Sequence, residues 1–308
     1  MRLGAAWGLL AAAAALSGCG LGAGRTPSAI RLTITEGFGR HPLRELASPR
    51  AAGEQTVMRL LLANTRVSTR YGGGFVQSIE GLSGTSASGG PVDWFYYVNG
   101  VEASDGAAAH RVYPGDRIWW DRHGWAAAMR VPAVVGSFPE PFRHGLGGKR
   151  LPVRVECARG ARIACTEVAD RLVALGVPAA RGGLGLPTGA RTLRVLVGLL
   201  AELGSDPALA SLMRGPASSG VYARPDRAGR RLTLLDDRGR PTAELRQGGG
   251  LIAATRSGDG APVWLVAGTD AEGLRQAVAQ WREASLHDRF AIAVAPGAQI
   301  VPLPPARP

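Results

Sequence analysis

The chain has 308 residues, a length that suggests two ordinary domains, each with a core of its own. Glycine and proline, at 44 and 21 residues, are frequent but follow no repeat, which excludes a collagen-like chain. The formal net charge is +12, yet the arginines are scattered and form no basic stripe with stacking aromatics, so nucleic acid is not an expected partner.

The N-terminal stretch has the pattern of an export signal. Arg2 precedes an apolar run over residues 5–16 that is too short for a permanent membrane span. The following Leu16-Ser17-Gly18-Cys19 resembles the lipobox of bacterial lipoproteins. The resemblance implies a signal peptide over 1–18, lipidation of Cys19, a tether over 19–28 and an extracytoplasmic protein anchored to the cell membrane. The alternative is an ordinary secretory signal with an incidental cysteine.

Residues 29–136 form the first predicted domain, a small mixed sheet that grips one helix. Apolar periodicity predicts the strands, and Thr56 is a plausible N-cap for a short helix after it. Asn99-Gly100 and the stretch 114–116 are predicted turns between strands. The predicted strands cover residues 30–35, 75–79, 94–98, 110–113 and 117–121, with loops over 37–53 and 83–91.

Aromatic residues concentrate in this domain, and their spacing carries a family resemblance. Trp94 is followed by Tyr97-Val98-Asn99-Gly100, and a Gly115-Asp116 turn precedes Trp119 and Trp120. These motifs resemble the bacterial DUF4430 domain, which is similar to the C-terminal domain of transcobalamin and intrinsic factor. The resemblance implies a β-grasp-like fold on an exported protein. It also implies a corrinoid ligand, although this chain lacks the helical barrel that completes such a site and would supply half of it.

The alternation of side chains along the strand 94–98 decides which rings could bind a ligand. Trp94 and Tyr96 point to one face and Tyr97 to the other, and Trp119 and Trp120 also point to opposite faces. One face must be core. The other either stacks a sugar ring, a corrin or an apolar partner, or is covered by the rest of the chain. The candidate ligand-binding residues are therefore Trp94, Tyr96, Tyr97, Trp119 and Trp120.

Residues 137–150 are predicted to be a Pro/Gly linker to a second domain over 151–296. Strands and helices alternate at both ends of that domain, with a β-meander between, which predicts an α/β sandwich and an α+β class for the whole chain. Helices are predicted over 166–175 and after the caps Asp206 and Asp270. The predicted strands cover 153–157, 192–199, 219–223, 232–236, 251–255, 262–268 and 290–294, with a Gly-rich loop over 181–190 and a disordered Pro-rich tail over 297–308.

Two cysteines remain besides Cys19. In an exported chain, Cys157 and Cys165 are expected to form a disulfide between a strand end and a helix start. The alternative is a pair of buried free thiols. Their spacing, without a nearby histidine pair, is poor for zinc.

The residues indicate no catalytic chemistry. Lys149 is the only lysine, which excludes a Walker A or Ser-x-x-Lys motif, and the five histidines are isolated. Asp121 and His123 form only a weak metal pattern. We therefore expect no metal, no cofactor and no enzymatic activity; the alternative is a triad assembled in space. No other run of 18 apolar residues occurs, so no transmembrane helix is predicted.

These patterns leave two main classes of function open, beside a third, an exported enzyme of unrecognised type, which convergent histidine and carboxylate side chains would favour. The first is a membrane-anchored extracytoplasmic lipoprotein that binds a ligand, possible ligands including a corrinoid, or a partner such as a transporter. The second is a structural or interaction lipoprotein of the cell envelope without a small-molecule ligand. An apolar cleft beside Trp94, Tyr96 and Trp119 or Trp120 favours the first class. Full burial of these aromatics against the second domain favours the second class.

Overall fold

The structure is a computed structural model that describes residues 25–85 and 90–306. Cys19, the predicted signal peptide and the start of the tether lie outside the described residues. The chain is a mixed α/β protein with many strands in several sheets and few helices. No helix in the described part is long and apolar enough to cross a membrane.

The described part of the first half contains two sheets and one α-helix. Its elements are β1 (Arg31–Glu36), β2 (His41–Leu46), α1 (Val57–Asn64), β3 (Val67–Arg70), β4 (Phe75–Ile79), β5 (Leu82–Ser83), β6 (Val92–Val98), β7 (Val101–Glu102) and β8 (Arg117–Gly124). Five strands form the main sheet in the order β2-β1-β8-β6-β7, and β3, β4 and β5 form a small antiparallel sheet. In the main sheet β8 pairs in parallel with β1 and antiparallel with β6.

The register of this sheet separates two faces. Tyr97 lies opposite Trp119, and Tyr96 lies opposite Trp120. Because neighbouring residues of a strand point to opposite faces, Trp120 joins the core beneath α1 while Tyr97 and Trp119 face the second half. The predicted division of the rings between two faces is confirmed, and the predicted cap Thr56 accepts a hydrogen bond from the Arg59 amide at 3.2 Å.

The second half is built on a larger sheet. Its elements are β9 (Val153–Cys157), α2 (Arg162–Ala174), β10 (Ala179–Gly183), β11 (Leu193–Leu199), α3 (Pro207–Met213), α4 (Pro216–Ser219), β12 (Ala223–Pro225), β13 (Leu232–Leu235), β14 (Pro241–Leu245), β15 (Gly250–Thr255), β16 (Val263–Gly268), α5 (Ala271–Ala279), α6 (Glu283–Leu286), β17 (Ala291–Ala295) and β18 (Gln299–Leu303). Seven strands run in the order β10-β9-β11-β16-β15-β17-β18, and β12, β13 and β14 form a separate sheet.

The large sheet is covered on both faces. Its strands β10, β9, β11 and β16 are mutually parallel, and the remaining pairs are antiparallel. Helices α2 and α5 cover one face, where Val168, Leu172 and Leu274 enter the core. On the other face lie α3, the sheet β12–β14 and residues from the first half, including Tyr97 and Trp119.

The predicted linker over 137–150 is wrong as a loose connection. Phe138 and Phe142 are buried, and both rings contact Trp264 and Trp281 of the second half. Apolar side chains anchor this stretch in the core, despite its many prolines and glycines. Residues 137–142 are buried, and Phe138 and Phe142 belong to the core of the second half, whereas residues 147–150 are exposed.

The predicted disorder of the tail is also wrong, because residues 299–303 pair with β17 as β18. Further strands, including β2, β3, β10 and β14, fall in segments for which no strand was predicted. These four are exposed along most of their length and therefore lack an apolar alternation. Two predicted strands are largely absent. Over 110–113, only Arg111 pairs, in an isolated bridge. Over 219–223, a short helix ends at Ser219 and a strand begins only at Ala223.

Candidate functional sites at the domain junction and the strand ends

The five aromatic residues predicted to bind a ligand lie mostly in the interior. Trp94, Tyr97, Trp119 and Trp120 are between 0% and 6% exposed. Tyr96 is half-buried, stacks on Trp120 with ring centroids 5.0 Å apart, and donates its hydroxyl to the Asp105 carbonyl at 2.5 Å. The aromatic hairpin, by which we mean the paired strands β6 and β8, therefore presents no open stacking platform in this structure.

One side chain from the second half covers the junction face of the hairpin. The ring of Phe290 lies 5.5 Å from that of Tyr97, 5.2 Å from that of Trp119 and 5.1 Å from that of His123. All three contacts are edge-to-face, an arrangement that aromatic rings prefer. The second half thus covers Tyr97 and Trp119, as expected if this face of the sheet is not an open binding surface.

Asp121 and His123 belong to a buried hydrogen-bond network beside these rings. The Asp121 carboxylate accepts from the Thr35 hydroxyl at 2.5 Å, from the amides of Phe38 and Gly39 at 3.0 and 2.8 Å, and is 2.8 Å from Nδ1 of His123. The carboxylate thus ties the loop after β1 to β8. Among the described residues, no group of three or more His, Cys, Asp and Glu side chains could hold a metal ion.

The two predicted turns are joined by a buried pair. Asn99, at φ 52°, donates its amide to Asp116 at 2.8 Å and to the Gly145 carbonyl at 2.8 Å. Burial raises the pKa of Asp116 to about 6, although hydrogen bonds from the Tyr113 amide and Asn99 oppose the shift. These contacts give both residues a structural role in the turns.

Cys157 and Cys165 form a disulfide, with Cα atoms 5.7 Å apart. It joins the end of β9 to the first turns of α2, as predicted.

A cleft lies close to this disulfide, at the carboxyl ends of the parallel strands. We call it the strand-end cleft; it encloses about 560 Å³ and is lined by Arg159, Arg162, Ile163, Glu202, Leu274 and Arg275, among others. The chain leaves β9 toward α2 on one face of the sheet and leaves β11 toward α3 on the other. Open α/β sheets bind ligands at such switch points, outside the carboxyl ends of their strands.

Arginines outnumber carboxylates in the lining of the strand-end cleft, with Arg159, Arg162 and Arg275 against Glu167 and Glu202. Glu202 accepts from the amides of Gly160 and Leu199 and so does not pair with an arginine of the described part. Helix α2 has no side-chain cap and no acidic residue in its first turn. Arg159 and Arg162 stand there instead, and neither guanidinium has an ion pair or hydrogen bond with any residue of the described part. In contrast, Asp270 caps the nearby α5, accepting from the Gly273 amide at 2.8 Å. Sequence reasoning missed this site, although two arginines, one just before the helix and one at its first residue, were a readable signal.

A second, smaller cavity of about 250 Å³ lies between the two halves. We call it the junction cavity; its polar lining is Glu102, Ser104 and Arg130 from the first half and Ser218, Arg256 and Asp259 from the second. These residues were not predicted either, because the cavity exists only once both halves are in contact.

The geometry describes a mixed α/β protein with two candidate ligand sites and a sealed aromatic hairpin. In comparisons with known proteins, residues 54–124 match the family DUF4430, a domain of unknown function. The matched segment runs from just before α1 to the end of β8 and leaves the second half outside. No curated protein matches the chain. No solved structure matches it.

Proposed function

We propose that this protein is a lipid-anchored extracytoplasmic binding protein whose ligand is a small anion with an apolar body, held in the strand-end cleft. The observation that carries the proposal is the cleft itself, about 560 Å³ at the carboxyl ends of parallel strands. That volume lies within the range of ligand pockets in proteins, roughly 300–1,000 Å³.

The charge and polarity of the lining support this class of ligand. Arg159 and Arg162 add positive charge to a helix end that is already positive, an arrangement that an anion would relieve. Ile163 is 80% exposed at the same place and, with Leu274, offers an apolar wall. A carboxylate or phosphate on a hydrocarbon body satisfies both parts of the lining.

The first half has the role of a rigid platform in this proposal. We interpret its sheet order, with β1 beside a parallel β8 and α1 packed on one face, as a β-grasp-like fold, in keeping with its match to DUF4430. A corrinoid on the hairpin is disfavoured because the rings that would stack it are buried. Lipidation of Cys19 would hold the cleft near the membrane, where a transporter or another envelope protein is the proposed partner. We also propose that the protein has no enzymatic activity.

Titration calorimetry of the full chain with paired ligands tests the proposal. Octanoate and octyl phosphate are expected to bind, and octanol, which has the same body without the charge, is expected not to bind. The double variant Arg159→Gln with Arg162→Gln should weaken binding about tenfold or more, because two charge-assisted contacts are removed. Cobalamin is expected to give no heat.

A matched control keeps this test specific. Arg143→Gln with Arg150→Gln removes the same charge from exposed positions outside the cleft lining and should leave the affinity unchanged. Equal weakening by both double variants would mean that the anions bind the basic surface in general, and the proposed site would be rejected.

The second candidate function is an interaction lipoprotein of the cell envelope with no small-molecule ligand. The burial of Trp94, Tyr97, Trp119 and Trp120 favours it. If none of the titrated anions binds, this candidate takes precedence, and a pull-down from membranes identifies the partner. Both candidates share the anchor, which labelling with a radioactive fatty acid tests: Cys19→Ala should abolish the label.

A further inference from the structure

The junction between the two halves contains buried polar atoms that have no partner. Tyr97 and Glu102 lie opposite each other on β6 and β7, so their side chains share one face of the sheet. The hydroxyls of Tyr97 and Tyr222 and the Oε2 atom of Glu102 are buried and make no hydrogen bond within the described part of the chain. The three residues are 0%, 1% and 6% exposed. Buried oxygens without a hydrogen bond are rare in proteins. Each one costs desolvation free energy unless a water molecule or a ligand group donates a hydrogen bond to it.

The Glu102 carboxylate has fewer hydrogen-bond donors than a buried carboxylate needs. Arg130 donates its Nε to Oε1 of Glu102 at 3.2 Å, but the Arg130 side chain is 56% exposed. Burial raises the pKa of Glu102 despite this arginine, and burial together with the charges of Glu102 and Asp121 raises the pKa of Tyr97 well above its ordinary value. Oε2 of Glu102 therefore lacks a hydrogen-bond donor among the described residues, while Arg130 serves only Oε1.

Of the three residues with unpartnered buried oxygens, Glu102 lines the junction cavity, and an anion-binding side chain, Arg256, lines it as well. The side chain of Arg256 is 16% exposed. Its Nε donates to the Gly260 carbonyl at 2.6 Å, and its Nη2 lies 3.9 Å from Oδ1 of Asp259. The lining holds two arginines, Glu102 and Asp259, so its formal charge is balanced. A balanced lining with a buried carboxylate and a held guanidinium suits a ligand that carries both charges.

We propose that the junction cavity binds a small zwitterion of the α-amino acid class, with its ammonium group on Glu102 and its carboxylate on Arg256. The volume of about 250 Å³ is below that of most drug-sized sites and matches a small ligand. The ligand contacts both halves at once, since Glu102 belongs to the first and Arg256 to the second. This site and its ligand class are distinct from those of the strand-end cleft, so either proposal can fail without the other.

Calorimetric titration of the full chain with glycine, L-alanine, D-alanine and L-serine tests the proposal. At least one is expected to bind, while N-acetylalanine, which lacks the ammonium charge, and alaninamide, which lacks the carboxylate, are expected to bind at least tenfold more weakly. Absence of heat for all four amino acids at about 10 mM would overturn the proposal. Equal binding of an amino acid and its two analogues would do the same.

Two variants and a control assign the contacts. Glu102→Gln keeps the shape of the side chain and should reduce amino-acid affinity at least tenfold, as should Arg256→Gln. Glu244→Gln changes an exposed carboxylate on β14 and should have no effect. The melting temperature of each variant is measured alongside. A folded Glu102→Gln protein with unchanged affinity contradicts the proposal, and if that variant does not fold, the Arg256→Gln result decides.

Discussion

Arg194 illustrates how a single residue holds a buried charge in the second half. Its guanidinium makes two hydrogen bonds to Glu156, at 2.7 and 2.8 Å, and a third to Asp206 at 2.5 Å. Glu156 is fully buried, so this arginine is its counter-charge within the sheet. The same Asp206 caps α3, which connects the ion pair to the start of a helix.

We predict that Arg194→Met destabilises the protein by about 3–5 kcal/mol, because Glu156 is left buried and unpaired. Urea denaturation followed by circular dichroism measures the change. Adding Glu156→Gln to the variant should recover part of the loss by removing the buried charge. Arg246→Met, which removes an exposed partner of Glu244, should cost less than about 1 kcal/mol. Similar losses in the two single variants would contradict this account.

The elements that the sequence predicts best are those with one buried face. The strands Phe75–Ile79 and Val153–Cys157 were predicted with the bounds that the structure has, and Asp206 and Asp270 were predicted as helix caps. Edge strands such as His41–Leu46 were missed because their exposed side chains have no reason to alternate. The candidate sites were missed for another reason: Glu102 and Arg256 meet only through packing between distant parts of the chain.

The disulfide between Cys157 and Cys165 holds the end of β9 to the start of α2, beside the strand-end cleft. We predict that Cys157→Ser with Cys165→Ser lowers the free energy of unfolding by about 2–3 kcal/mol, since the crosslink closes a short loop. Hydrogen exchange should show the largest loss of protection in the first turns of α2, next to Arg159 and Arg162. A reductant should destabilise the wild-type protein by a similar amount and leave the double variant unchanged. Uniform loss of protection over the whole sheet would argue against a local role.

At the scale of the whole molecule, the two halves meet through charged groups as well as rings. Arg117 donates to Glu283 at 2.7 Å across the junction, and Asp288 lies beside His287 with 3.3 Å between Oδ2 and Nδ1. Burial raises the pKa of Asp288 to about 6, with Glu45 and Asp121 adding to the shift and His287 and Arg117 opposing it. A carboxyl group whose pKa is raised on folding stabilises the folded state below its unfolded pKa and loses that contribution as pH rises through about 6.

We therefore predict that Asp288→Asn stabilises the protein at pH 7.5 by about 1–2 kcal/mol and has no such benefit near pH 4. The backbone at this position has φ 53°, which asparagine tolerates. Thermal unfolding between pH 4 and 8 measures the difference from wild type. Asp259→Asn, at a fully exposed carboxylate, is the control and should change little at any pH. A difference that does not grow with pH would show that Asp288 carries no destabilising charge.

The strand β18 has a consequence for how the chain is completed during synthesis. Arg40 donates to the carbonyl of Pro304 at 3.0 Å, across 264 positions, and Phe290 is the ring that covers the aromatic hairpin. A chain that is made and exported from its N-terminus presents its first half long before the residues that cover the second face of that half. That face stays open to chaperones or to another chain until nearly the whole protein has emerged. The two halves therefore pack together late, and a pause between them prolongs the stage at which exposed apolar surface favours aggregation.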